Sequence, residues 1–176
     1  MRNKKKTDVR QLVYTALFAA LIVVFSQLQI PLPGLVPISL ATFGVMMAGL
    51  LLGWQWGGAA VAVYLLLGAV GAPVFAGFKG GVSALLGPTG GYLIGYLPYA
   101  ALAGLGAKKD GFWHRCLYLL LGTAICYALG TAWFVHQTGR SLSESLGLCV
   151  LPFLPGDAAK IFLSAALSPR LQKAIK

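Results

Sequence analysis

The sequence predicts an all-α integral membrane protein, a single transmembrane domain over residues 1–176 that folds as a bundle of six helices with both termini cytoplasmic. Three observations carry that expectation: 58% apolar against 10% charged residues, a recurrence of apolar runs long enough to cross a bilayer, and basic residues confined to the ends of those runs. A soluble domain usually carries about 25% charged residues, so water is excluded as the solvent for most of the surface. The net charge of +10, from 14 basic and 4 acidic residues, has the sign that nucleic acid would attract. Its placement between apolar runs is instead that of membrane proteins. Membrane lipid is the expected surroundings, and nucleic acid is not an expected partner.

A spanning helix needs about 20 mainly apolar residues, fewer when it is packed among others. The first run covers about residues 11–28. It follows Arg2, Lys4, Lys5 and Lys6 as a secretory signal would. It is nevertheless too long for a signal's apolar centre, and no small-x-small cleavage pattern follows, so it reads as a permanent helix. The second and third runs, about 39–53 and 57–70, are short and suit tilted or partly enclosed helices. The fourth, fifth and sixth cover about 89–106, 115–135 and 148–167.

Six spans with an inner N-terminus give the cytoplasmic side Arg2, Lys4, Lys5, Lys6, Arg10, Lys108, Lys109, Arg115, Arg170, Lys173 and Lys176. The outer side receives Lys79 and Arg140, and Lys160 falls inside the last span. Lys and Arg favour the cytoplasmic side of short loops; an odd number of spans would destroy the asymmetry. Small residues four apart recur at Ala16 and Ala20, Gly58 and Ala62, Gly91 and Gly95, Ala100 and Gly104, and Gly122, Cys126 and Gly130. Such spacing lets helix backbones approach in lipid, and only a pair facing outward would serve a partner. Cys116, Cys126 and Cys149 lie scattered in apolar stretches and read as small core residues. His114 and His136 have no ligand-type neighbours, so no metal site is expected.

Asp157 and Lys160 stand out because each ionisable residue in a span costs on the order of 2.5–3.5 kcal/mol. Three residues apart on a helix, they share a face. They serve either as a mutual ion pair between helices or as the grip on a ligand, and intramembrane charges usually mark function. Pro155 and Gly156 before them predict a broken span with a new helix starting near Asp157. Irregular backbone at that depth needs a sheltering cavity. Two further stretches draw notice. Residues 73–92 are glycine-rich without being hydrophilic and carry Lys79, but they lack the G-x-x-x-x-G-K-[ST] phosphate loop. They form either a flexible re-entrant connection or an ordered functional loop. Residues 29–39 are apolar and hold Pro31, Pro33 and Pro37; they either cover a cavity or lie in the headgroup layer.

Five stretches in order resemble the BioY family, the biotin-binding substrate-capture (S) components of energy-coupling factor (ECF) vitamin transporters. They are Val36-Pro37-Ile38-Ser39-Leu40-x-Thr42-Phe43-Gly44, Gly71-x-Pro73-Val74-Phe75-Ala76-Gly77, Gly80-Gly81, Gly87-Pro88-Thr89-Gly90-Gly91-Tyr92-Leu93, and Leu154-Pro155-Gly156-Asp157-x-x-Lys160. The resemblance covers nearly the whole chain. It implies a six-helix bundle in the cell membrane, expected to be a bacterial plasma membrane, with a biotin site toward the outer face and no cofactor. It also implies a transmembrane coupling subunit and two ATPase subunits as partners, with Ala16 and Ala20 packing on the coupling subunit. By motif, Asp157 and Lys160 meet biotin deep in the site, with either end of the ligand open to each; Lys79 is well placed electrostatically for its carboxylate near the entrance, and Thr42, Phe75 and Tyr92 are candidate walls. Ala41 and Phe78-Lys79 depart from the family's pattern, which has glutamine at the first position in many relatives and a smaller, glycine-containing pair at the second. An S component for another vitamin, an integral-membrane enzyme using Asp157 and Lys160, and a purely structural membrane subunit are the competing expectations. No nucleophile or metal accompanies the pair to support the enzyme.

Overall fold

The structure is a computed structural model that describes residues 2–30, 36–108 and 111–175. Pro31 and Pro33 in the first connection, and the basic residues Lys109 and Lys176, lie outside the described residues, as do the side chains of Arg2, Lys4, Lys5 and Lys6. In chain order the elements are α1 (Arg2–Gln27), β1 (Gln29–Ile30), β2 (Ile38–Ser39), α2 (Ala41–Ala69), α3 (Val82–Leu86), α4 (Gly90–Gly106), α5 (Phe112–Thr138), α6 (Leu142–Cys149) and α7 (Leu154–Ile175). Among the described residues the fold is thus helical apart from one antiparallel pair of two-residue strands, Gln29 opposite Ser39 and Ile30 opposite Ile38.

Length and apolarity qualify Val9–Gln27, Ala41–Ala69 and Phe112–Thr138 to cross a membrane. The pair α6 and α7, bent by 52° at their junction, makes a fourth when counted as one broken span. The runs at 39–53 and 57–70 emerge as one helix, α2, interrupted at Gly53 with φ 82 and ψ 174. Only glycine takes that conformation without steric cost, and it turns the second arm back on the first. A methyl group on Gly57 would lie 2.7 Å from the Cα of Gly49, whereas eight residues of straight helix would separate the two by about 12 Å.

Helix α4 packs between α2 and α5, and small residues decide how closely. A methyl group on Gly49 of α2 would stand 2.4 Å from the Ala100 carbonyl oxygen of α4. Across the other face, the Tyr99 ring fills the space over Gly122 and the Tyr92 ring the space over Gly130. Lipid supplies no hydrophobic drive between helices, so this ring-into-gap contact and the bonds at the ring tips hold them together. Tyr99 Oη and Thr123 Oγ1 are 2.6 Å apart. Helix α7 closes the bundle against α2, where Gln172 Nε2 donates to the Leu50 carbonyl at 2.7 Å. The Arg10 guanidinium of α1 donates to the Ile175 carbonyl at the end of α7.

One connection differs from expectation, and a second takes one of the two forms left open. The break in the last span falls at residues 150–153, before Pro155 and Gly156, which instead sit in the first turn of α7. Proline's missing N–H costs nothing there, because first-turn donors have no intrahelical acceptor. The preceding helix α6 exists because Ser141 and Glu144 form a reciprocal cap: Glu144 N donates to Ser141 Oγ at 3.3 Å and Ser141 N to Glu144 Oε2 at 3.4 Å. That S-x-x-E pattern is a helix-start signal in its own right. Residues 73–92, for their part, are ordered: Phe75 and Lys79 form an antiparallel bridge, and α3 follows.

Candidate functional site

The first turn of α7 directs Asp157 inward, and Lys160 follows one turn later on the same face. Lys160 Nζ and Asp157 Oδ1 are 2.9 Å apart, with the two residues 7% and 5% exposed. An ammonium has three N–H donors and no acceptor. All three have partners here, since Lys160 also donates to the Ser39 carbonyl at 2.7 Å and to Thr42 Oγ1 at 3.0 Å. The Thr42 hydroxyl in turn donates to Asp157 Oδ1 at 3.4 Å. From α5, the Tyr127 hydroxyl donates to Asp157 Oδ2 at 2.5 Å. A charge-assisted network of this kind holds both ionised groups in fixed positions.

These groups line a small hollow of about 50 Å³, whose remaining walls include Tyr92, Tyr96 and Phe153. It has room for a few waters. Val36, Pro37, Ser39, Tyr92 and Tyr96 also line a second hollow of about 370 Å³, so the two adjoin through the β2 region and α4. The larger hollow is bounded further by Phe75, Lys79, Ser83 and Thr89. Together they form a cavity with a charged floor, aromatic walls and a lysine at the rim.

The residues expected at the site fall into three groups. Asp157, Lys160 and Thr42 come together at the floor. Tyr92 and Phe75 are buried in the walls. Tyr92 Oη is fixed by Thr131 Oγ1 at 3.0 Å, while the Phe75 ring packs over Gly68 and edge-on to Tyr64, centroids 5.4 Å apart. Lys79 is exposed on its hairpin at the edge of the larger hollow. Ala16 and Ala20 line neither hollow and are exposed on the outer stripe of α1.

Sequence reasoning missed Tyr127, Tyr96 and the Ser39 carbonyl. Tyr92-x-x-x-Tyr96 had the spacing of one helix face, and a hydroxyl within an apolar run needs a partner; either signal was available. The Ser39 carbonyl belongs to backbone and leaves no trace in residue type. Among the described residues, no group of three His, Cys, Asp or Glu side chains could hold a metal.

Fold and site together define the class: a helical membrane protein built like the substrate-capturing component of an ECF transporter. The chain superposes on the crystal structure of the S-component for biotin from an ECF-type ABC transporter with a TM-score of 0.88 at 35% identity, covering 98% of this chain and 95% of that one. The model of the BioY family matches residues 1–176, and the chain belongs to the BioY family. It is 42% identical over 169 residues to the biotin transporter BioY of Thermotoga maritima, covering 94% of this chain and 97% of that protein. To the biotin transporter BioY of Lactococcus lactis it is 36% identical over 182 residues, covering 98% and 95%.

Proposed function

We infer that this chain is the biotin-binding S component of an ECF-type transporter, capturing biotin on the outer side and delivering it inward with a transmembrane coupling subunit and two ATPase subunits. It is a transport subunit rather than an enzyme, and biotin is its cargo rather than a cofactor. The observation that carries this reading is the buried Asp157–Lys160 pair facing a cavity inside an apolar bundle. A well-packed apolar pair is often at least as stable as a buried ion pair, so a ligand that needs both charges accounts for their presence.

Biotin offers two ureido N–H donors and a ureido oxygen at one end and a carboxylate at the other. Asp157 accepts the N–H groups and repels the carboxylate, which sends the ring system to the floor and the acid tail toward Lys79. Tyr92 and Phe75 supply apolar area for the fused rings, and Thr42 holds the charged pair in register. The smaller hollow, about 50 Å³, does not admit those rings as it stands. For the ureido oxygen to reach Lys160 it must replace one of the three acceptors, and the Ser39 carbonyl on short β2 is the one outside the long helices. Binding therefore moves the Ser39 backbone away from Lys160.

The bundle crosses the bacterial plasma membrane six times in this reading, by α1, the two arms of α2, α4, α5 and α7, with both termini cytoplasmic. The crowding of basic residues at one set of ends supports that topology. Ala16 and Ala20 face the coupling subunit. Isothermal titration of the detergent-purified chain with biotin tests the central claim: saturable one-to-one binding is expected. A blank titration would overturn it in favour of another vitamin.

A further inference from the structure

The last turn of α1 ends in Gln27, a residue outside the charged floor and outside the cavity walls. Its amide bonds one hairpin and, at 3.1 Å, the neighbouring Ser26 Oγ, to which Nε2 donates. Gln27 Nε2 donates to the Val74 and Phe75 carbonyls, each at 3.1 Å, and Gln27 Oε1 accepts from Phe78 N at 3.0 Å. Two carbonyls on one side and an N–H on the other fix which way the amide points. Beside it the fully buried Ser26 hydroxyl reaches the Val74 carbonyl at 2.5 Å. The hairpin is closed by Phe75 N to Lys79 O at 2.9 Å and Lys79 N to Phe75 O at 3.2 Å.

The turn itself is strained. Phe78 has φ 56, and among the described residues no other non-glycine has a positive φ. Its ring is 72% exposed, so burial does not repay that conformation. Such backbone persists only when its surroundings impose it. The bond from Phe78 N to Gln27 does so together with the closing pair Phe75–Lys79, and Lys79 is the next residue.

We propose that Gln27 is the positioning residue for Lys79: by holding the Phe75–Lys79 hairpin from α1, it sets the ammonium at the rim and thereby determines preference for a ligand with a free carboxylate. The proposal rests on the reading of Lys79 as the carboxylate's partner. The test measures binding of biotin and of its neutral carboxamide to the full chain in detergent, for the parent, Gln27→Ala, Gln27→Met, Lys79→Ala and the double variant Gln27→Ala/Lys79→Ala. Gln27→Met keeps the side chain's length and serves if the alanine variant unfolds.

The parent is expected to favour biotin over the carboxamide by about tenfold, and Lys79→Ala to erase the preference. Either Gln27 variant should lose most of it, while the double variant should be no worse than Lys79→Ala alone. Equal weakening of both ligands by the Gln27 variants, no change in either, or full additivity in the double variant would overturn the proposal while leaving the biotin site intact. A parent without preference, or a Lys79→Ala variant that keeps it, would overturn the role given to Lys79 and the proposal with it.

Discussion

The floor and the rim of the cavity are built by opposite means. At the floor, Asp157, Lys160, Thr42 and Tyr127 come from three helices and satisfy one another, side chain to side chain, with the Ser39 carbonyl as a backbone acceptor for the Lys160 ammonium. At the rim, Lys79 has an exposed head, and its place is set through backbone bonds that Gln27 makes to its neighbours. The floor is buried, so each of its charges acts at short range in a low dielectric. The rim meets water, where a single charge attracts weakly and is screened by salt. In the proposed reading affinity is therefore concentrated at the floor, and discrimination by charge at the rim.

Removing a floor charge should have the largest effect. Asp157→Asn leaves the Lys160 ammonium beside a neutral amide, and breaking one side of a buried pair typically costs about 3–5 kcal/mol. Titration should show biotin affinity falling by about a hundredfold or more; an affinity equal to the parent's would reject the assigned site. Replacing both residues, Asp157→Leu with Lys160→Leu, should leave a folded bundle that binds no biotin. A double variant that still binds would mean the pair only holds helices together.

Tyr127→Phe asks whether the floor works as a unit. The substitution removes a hydrogen bond to a charged group, worth about 1.5–3 kcal/mol, without opening a large void. An affinity loss of about tenfold to a hundredfold is expected by the same conversion, accompanied by a lower thermal midpoint. Unchanged binding would show that Asp157 is held adequately by Lys160 and Thr42. Lys79→Ala should be milder, about threefold to tenfold at low salt, and the difference from the parent should shrink as ionic strength rises, since exposed charges are screened. A salt-independent difference would place Lys79 in a drier setting than its exposure implies.

The same contrast governs what could be read from residue order alone. Asp157 and Lys160 declared themselves because a charge inside an apolar run is costly to insert and is rarely incidental, and the membrane class followed from composition. Wall residues such as Tyr92 came with the family's motifs. The Gln27 tether and the Ser39 acceptor were illegible, because each joins a side chain to backbone atoms, 47 to 51 and 121 residues apart in sequence. The turn at Gly53 was half legible. A gap between two apolar runs was visible, yet one φ of 82 makes the reversal without any loop. Helix α6 was legible in principle, since Ser141 and Glu144 stand at capping-box spacing, but its eight residues sit beside a longer apolar run that dominates the pattern.

The smallest effect on binding should come from the part of α1 that neither end of the cavity uses. Ala16 and Ala20 are exposed, four residues apart on one stripe, and their neighbours Val13 and Leu17 are likewise turned outward, 61% and 50% exposed. Small residues on an outward stripe permit another helix to approach closely in lipid. Bulky replacements there cannot collide with the bundle's own core. Ala16→Leu with Ala20→Leu should therefore leave biotin affinity unchanged while uptake, measured with the coupling and ATPase subunits present, falls sharply. Preserved uptake would remove this stripe from the coupling interface. A loss of affinity would mean instead that α1 transmits strain through Gln27 to the rim, tying the two ends of the helix more tightly than the static contacts require.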